Sequence, residues 1–189
     1  MSRWNLLFDE LDRVYRECGQ LLRDADAQLD AIDYRCWHAS ANQMGMQTSQ
    51  SIAKPSEWFP RWLVRFYAHK DDGESAKGPL AFVAVFLSDQ AGRGDWKWDP
   101  RIEEPLVVAG VIDGDGKTPI NWAYWTCKWW FWLDDAEIGG AVSTFEPGPT
   151  HKQNWKRMRA FAIPLSRVSG FSELEDLVVQ PLRALLDAP

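Results

Sequence analysis

The first stretch of the chain carries apolar residues at the spacing of an amphipathic helix. From residue 4 to residue 32 they recur every three or four positions, with charged residues between them, and this pattern predicts a helix within 1–34 that buries one stripe. Gly19 is its weak point, because glycine costs about 1 kcal/mol relative to alanine inside a helix. The stripe consists of Trp4, Leu7, Leu11, Val14, Cys18, Leu22, Ala25, Leu29 and Ile32.

The length of this helix leaves two alternatives. Unbroken, roughly 30 residues span about 45 Å, which exceeds the radius of a domain of this size. The helix therefore either packs across a sheet, which we favour, or protrudes and pairs with a second copy of the chain.

A period of two replaces the helical period after residue 57 and predicts strands. The second of these strands is apolar on both faces, which is typical of a central strand. Asp113–Thr118 is rich in glycine and aspartate, so it is expected to turn the chain and join the third and fourth strands in a hairpin. The predicted strands are Trp62–His69, Leu80–Leu87, Leu106–Ile112, Ile120–Trp132 and Arg157–Leu165.

The remaining segments complete the predicted fold. Residues 38–57 form a long loop rich in Gln, Ser and Met, and residues 134–155 are mostly loop because of their glycines and prolines. Residues 172–186 have a helical stripe with Ser169 or Ser172 as the cap, and Pro181 disturbs the last turn. The sequence thus predicts a single α+β domain over 1–189: a long N-terminal helix, a mainly antiparallel sheet of about five strands within 58–165, and a C-terminal helix.

Composition excludes several classes of function. The chain has 189 residues, 21 Lys and Arg against 27 Asp and Glu, and a formal net charge of −6. An acidic chain lacks the basic footprint of a general nucleic-acid binder, and its longest apolar run, Leu80–Leu87, is too short to cross a membrane. Asp9 and Glu10 interrupt any signal-peptide core. Three scattered cysteines favour free thiols in the cytoplasm over a disulfide framework.

Motifs for catalysis or metal binding are weak. Asp113 and Asp115 resemble the start of a calcium loop, but its twelfth position is Tyr124 rather than a glutamate, so a turn is favoured. Cys36 and His38 lie close enough for a thiolate–imidazole pair, yet neither further metal ligands nor an orienting third group accompanies them. The sequence therefore predicts no catalytic residue, metal site or cofactor, and an enzyme is the least favoured class.

The tryptophans point to a binding surface. Of the 12 tryptophans in the chain, five fall in the predicted fourth strand, whose even positions mix aromatic rings with one cation. Two other strands place arginines on one face, and arginine suits bidentate contacts with phosphate or carboxylate. If these faces coincide, they form an aromatic, partly basic cleft for a ligand. The predicted ligand-binding residues are Arg65, Tyr67, Trp122, Tyr124, Lys128, Trp130, Arg157 and Arg159.

Three functions remain open on the sequence alone. The first is a binding or sensor module that holds a small ligand or peptide on this sheet face. The second is a protein-interaction module, such as a neutralising or assembly partner of another protein, since tryptophan and arginine are enriched among interface anchors. The third is an enzyme with an unrecognised site.

Overall fold

The computed structural model describes residues 3–37, 62–72, 76–87, 104–117, 120, 139–146 and 155–188. Within them the chain forms a long helix, α1 (Arg3–Asp30), and six strands. The strands are β1 (Tyr34–Cys36), β2 (Trp62–His69), β3 (Leu80–Phe86), β4 (Leu106–Gly114), β5 (Ser143–Phe145) and β6 (Trp155–Pro164). Short 3-10 turns follow β2 at Lys70–Asp72 and β6 at Leu165–Arg167.

The strands form one antiparallel sheet in the order β1-β2-β3-β4-β6-β5. The predicted α+β class with an N-terminal helix, an antiparallel sheet and a C-terminal helix is confirmed, and the strand count is six rather than about five. Two strands were missed: β1, which lies between the predicted helix and loop, and β5, which lies in the segment predicted to be mostly loop. Both have only three residues, which is too short for a period of two to stand out.

The predicted hairpin is wrong in its pairing. β4 pairs along one edge with β3 and along the other with β6, and a strand has only two edges for backbone hydrogen bonds. Both edges of β4 are therefore occupied by described strands, and residues 121–132 of the predicted fourth strand lie outside the described part of the chain. Ile120, the one described residue of that predicted strand, is buried, and its N–H donates to the carbonyl of Ala76 at 2.8 Å.

The N-terminal helix runs without interruption through Gly19. It ends at Asp30, four residues before the predicted boundary. Asp33 has a φ of 68°, a left-handed conformation that aspartate tolerates better than most residues. Its carbonyl then accepts a hydrogen bond from the N–H of Lys70 at 2.8 Å, which ties the turn after α1 to the end of β2.

The C-terminal helix, residues 171–187, consists of α2 (Phe171–Leu174), a π turn (Glu175–Val179) and α3 (Gln180–Asp187). The N–H of Gln180 donates to the carbonyl of Glu175, five residues back. Pro181 lacks an N–H, and in a regular α-helix its ring would clash with the carbonyl four residues earlier; the wider turn relieves this clash. The N-cap residue is Gly170, with no side-chain cap, rather than Ser169 or Ser172.

The sheet buries both of its faces. We call the face that carries α1 and the C-terminal helix the helix face, and the opposite one the far face. Alternate residues of β3 enter two separate apolar clusters, one on each face, and all seven of its residues are buried. This explains the unbroken apolar run that identified β3 as a central strand.

Candidate functional site

Four of the predicted ligand-binding residues lie on the helix face. Tyr67 aligns through Ala81 and Val111 with Arg159, so these side chains share one row across β2, β3, β4 and β6. Arg65 lies two residues from Tyr67 on β2, and Arg157 two residues from Arg159 on β6, on the same face. The other four predicted residues, Trp122, Tyr124, Lys128 and Trp130, lie outside the described part of the chain.

Arg65 and Tyr67 face a carboxylate of α1. The Tyr67 hydroxyl donates to Asp26 Oδ1 at 2.9 Å, and Arg65 Nη2 lies 3.5 Å from Asp26 Oδ2. Burial raises the pKa of the Asp26 carboxyl, and the Tyr67 hydrogen bond and the Arg65 charge oppose that rise. Burial also raises the pKa of Tyr67 well above its usual value, and the Asp26 charge adds to the effect. These residues therefore connect α1 to β2.

Arg157 and Arg159 share one carboxylate, Asp113 at the end of β4. Arg157 Nε lies 2.5 Å from Asp113 Oδ2, and Arg159 Nη2 lies 3.0 Å from Asp113 Oδ1. Arg159 also donates to the carbonyl of Ala188 at 3.3 Å. Because the Arg159 side chain is only 9% exposed, its charge requires a buried counter-ion, and Asp113 provides it.

The sequence identified these cations but missed their counter-ions. Asp26 lies next to the stripe residue Ala25 of α1, among the charged residues that the helical pattern predicts to face solvent, and Asp113 lies in the predicted turn Asp113–Thr118. The strand register brings Asp113 opposite Arg157, and a register is not visible in a single sequence. Next to Asp113, the N–H of Lys117 donates to Asp115 Oδ1 at 2.7 Å and Gly116 has a φ of 74°, so 115–117 does turn the chain.

The thiols that the structure describes are poor nucleophiles. Burial raises the pKa of Cys36, although Arg65 Nη1 donates to its sulfur at 3.5 Å and opposes the rise. Burial likewise raises the pKa of Cys18. Both are free cysteines, and a thiol with a raised pKa is mostly protonated at neutral pH. His38, the suggested partner of Cys36, and Cys127 lie outside the described residues.

The described residues include no group of three or more His, Cys, Asp or Glu side chains placed to hold a metal ion. No helix within these same residues has the length and apolarity needed to cross a bilayer.

The first half of α1 exposes apolar side chains. Leu6, Leu7 and Phe8 are 52%, 54% and 61% exposed, and every residue from 5 to 10 is exposed. Farther along the same helix Cys18, Leu22, Ala25 and Leu29 are at most 7% exposed and pack against the helix face. The stripe is thus continuous in sequence, but only its second half is buried.

A cleft of about 670 Å³ opens where the buried half of α1 begins. One wall is α1, and the other is the segment 165–170 with Leu174 of α2. Leu87, just after β3, and Glu104 and Pro105, just before β4, complete the lining. No pattern in the sequence predicts this cleft, because its walls come from four separate segments that only the fold brings together.

Comparisons with protein families, with curated proteins and with solved structures found no match to this chain.

Proposed function

We propose that this protein is a non-enzymatic interaction module that docks onto another protein through residues 5–13, which we call the exposed half of α1. The supporting observation is the exposure of Leu6, Leu7 and Phe8 by more than half. Single exposed apolar side chains are normal on a protein surface, whereas contiguous patches mark interaction sites. The half-buried Leu11 lies four residues after Leu7 and three after Phe8, the spacing at which side chains on a helix are neighbours, so Leu7, Phe8 and Leu11 share one patch. Burying each such side chain gains about 1.5–3 kcal/mol, so a partner that covers them gains affinity.

The exposed half of α1 is suited to present these side chains. Its second half is held by Asp26 to β2, and Gln28 Nε2 donates to the carbonyl of Phe171 at 3.0 Å. Ion pairs between Arg13 and both Glu10 and Glu17 lie along the helix three and four residues apart, a spacing that stabilises helical structure. A preorganised helix loses little conformational entropy on binding.

The ligand-binding sheet face that the sequence favoured has weaker support. Its described members, Arg65, Tyr67, Arg157 and Arg159, lie on the face that carries the helices and contact Asp26 and Asp113. A ligand anion would have to compete with these carboxylates. For this reason we rank the interaction module above the small-ligand module.

Site-specific photocrosslinking tests the proposal. A benzophenone amino acid replaces Phe8 in the native host, and the control carries it at Val142, which is 49% exposed beside β5. We expect a discrete covalent protein adduct from position 8 that Val142 does not give and that Leu7→Glu abolishes. An adduct of twice the chain mass identifies a second copy as the partner, and another mass identifies a different protein. No adduct specific to position 8 contradicts the proposal.

A further inference from the structure

The cleft beside α1 has an apolar floor. Val14, Cys18 and Leu21 contribute from α1, and Leu165, Val168 and Leu174 contribute from the opposite wall. Its volume falls within the range of about 300–1,000 Å³ that binding pockets occupy. An apolar cleft of this size favours a ligand that brings its own apolar side chains.

The charged side chains that the structure describes in the cleft are all acidic. Among the described residues that line it, the charged ones are Glu17, Asp24 and Glu104. Glu17 is also in an ion pair with Arg13 at 3.1 Å, in which both side chains are at least 60% exposed, whereas Glu104 is exposed in the segment before β4. The lining therefore attracts positive charge and repels an acidic ligand.

The cleft is continuous with the exposed half of α1. Val14 lines the cleft and belongs to the same helical stripe as Leu11, about one turn earlier, and Leu7, about two turns earlier. A segment lying along this stripe would place one end in the cleft and the rest against residues 5–11. Helices recognise amphipathic partners in this way, through apolar anchors spaced three or four residues apart.

We infer that the cleft receives a positively charged, amphipathic segment of the protein partner, with its apolar side chains on the cleft floor and its cations beside Asp24 and Glu104. This inference rests on the proposed function, since it names the chemistry of the partner that docks on α1. It commits to a peptide segment because the apolar stripe extends along the helix beyond the cleft itself.

Binding of designed peptides to the full chain tests the chemistry. One fluorescent probe is an amphipathic helical peptide of Leu and Lys, two heptads long. The control probe, the Leu/Glu peptide, has the same sequence with Glu at every Lys position. We expect saturable binding of the Leu/Lys peptide by fluorescence polarisation, with an affinity that falls as salt rises, and at least tenfold weaker binding of the Leu/Glu peptide. Equal binding of the two peptides would overturn the inference.

Substitutions locate the binding. Ser169 is exposed and lines the cleft, so Ser169→Trp fills the cleft without disturbing the core and should weaken Leu/Lys binding at least tenfold. Ser172→Trp adds the same bulk at an exposed position of α2 outside the described lining and should leave it unchanged. If both variants bind like the wild type, the peptide binds elsewhere and the inference is wrong.

A charge-matched pair of variants separates local attraction from the net charge of −6. Asp24→Asn with Glu104→Gln should weaken Leu/Lys binding about fivefold, since exposed charge pairs contribute about 0.2–1 kcal/mol each. Asp30→Asn with Glu146→Gln removes two exposed acids outside the cleft and should weaken Leu/Lys binding by less than half that factor. If both pairs of substitutions weakened Leu/Lys binding equally, Asp24 and Glu104 would have no local role in that binding.

The two proposals fail separately. A crosslink at position 8 combined with no cleft-dependent peptide binding retains the interaction module and rejects the basic segment. Absence of the crosslink rejects the interaction module itself, whatever the peptide does.

Discussion

The hydroxyl of Tyr67 donates a hydrogen bond to Asp26 at 2.9 Å, joining the central part of the sheet to the long helix above it. Tyr67 is fully buried, so its hydroxyl needs a partner inside the fold. Asp26 in turn brings a carboxylate into a half-buried position, where burial raises its pKa. Helix and sheet are thus fixed to each other by a polar contact within an otherwise apolar layer.

Removing the Tyr67 hydroxyl should weaken that junction. We expect Tyr67→Phe to lower the free energy of unfolding by about 1.5–3 kcal/mol, the range for a hydrogen bond to a charged group. Chemical denaturation of the variant and the wild type measures the difference. A loss below about 0.5 kcal/mol would mean that the Tyr67–Asp26 bond contributes little to stability.

The pKa of Asp26 gives stability a distinctive pH dependence. Because the folded-state pKa is raised, the folded protein binds this proton more tightly than the unfolded chain, whose aspartates titrate near about 3.9. Its stabilising contribution is complete below that value and is lost as the pH rises through the folded pKa. The stability of the wild type relative to Asp26→Asn should therefore fall as the pH rises from about 3.5.

Asp33 provides a control of opposite sign for this titration. Its hydrogen bond to Lys70 lowers the pKa of the Asp33 carboxyl, so its contribution is present above about 3.9 and is lost as the pH falls through the folded pKa. The stability of the wild type relative to Asp33→Asn should consequently rise with pH. Denaturation curves measured between pH 2 and 7 compare the two variants, and parallel slopes would contradict the assignment.

Asp113 should be far more important to stability than a carboxylate in a surface pair. Asp113→Ala leaves Arg159 buried without its counter-ion, which we expect to cost about 3–5 kcal/mol. Asp12→Ala removes the partner of Arg16, in a pair whose side chains are at least 60% exposed, and should cost at most about 0.5 kcal/mol. Thermal and chemical denaturation measure both variants, and similar losses would show that Arg159 does not depend on Asp113.

Two glycines should respond to alanine in opposite directions. A Cβ on Gly19 would meet Arg23 at an ordinary 3.5 Å, so Gly19→Ala should stabilise α1 by about 0.5–1 kcal/mol. A Cβ on Gly110 in β4 would lie 2.4 Å from the carbonyl oxygen of Arg159 and 2.7 Å from the Cβ of Ala160. Gly110→Ala should therefore cost about 1–3 kcal/mol or more. Unfolding free energies of the two variants would contradict this account if they shifted in the same direction.

The sequence predicted the elements whose periodicity is long and missed what depends on pairing. The apolar run Leu80–Leu87 predicts the central strand β3 because both faces of that strand are buried, and the stripe of α1 predicts a helix because it repeats over many turns. Neither the strand order nor the register can be read from periodicity. The sequence therefore predicts a hairpin of 106–112 with 120–132, whereas the described partners of β4 are β3 and β6. Alternation along the strand predicts that Arg157 and Arg159 lie on one face. It does not predict that they share the carboxylate of Asp113, because that contact depends on the register of β4 and β6.

The candidate site was predicted less well than the fold because its parts come from distant segments. The stripe of α1 raised the alternatives of packing and protrusion. Its second half packs on the sheet, where Leu29 is fully buried, while Leu7 in the first half is 54% exposed. No local pattern marks Leu165 or Val168 as the wall opposite Val14. That relationship arises from the path of the chain after β6.

The two halves of the α1 stripe should differ sharply when shortened. Leu29 lies in the cluster on the helix face with no exposed surface, so Leu29→Ala should lower the free energy of unfolding by about 2–5 kcal/mol through lost burial and the cavity left behind. Leu7→Ala removes the same atoms from an exposed position and should change it by less than about 0.5 kcal/mol, while weakening the crosslink from position 8. Denaturation and the crosslink together distinguish the two roles. Shortening a side chain needed only for the fold lowers the free energy of unfolding, whereas shortening one needed only for docking weakens the crosslink and leaves that free energy unchanged. A loss of stability in Leu7→Ala comparable to that in Leu29→Ala would mean that the first half of α1 packs within its own chain, which removes the basis for docking there.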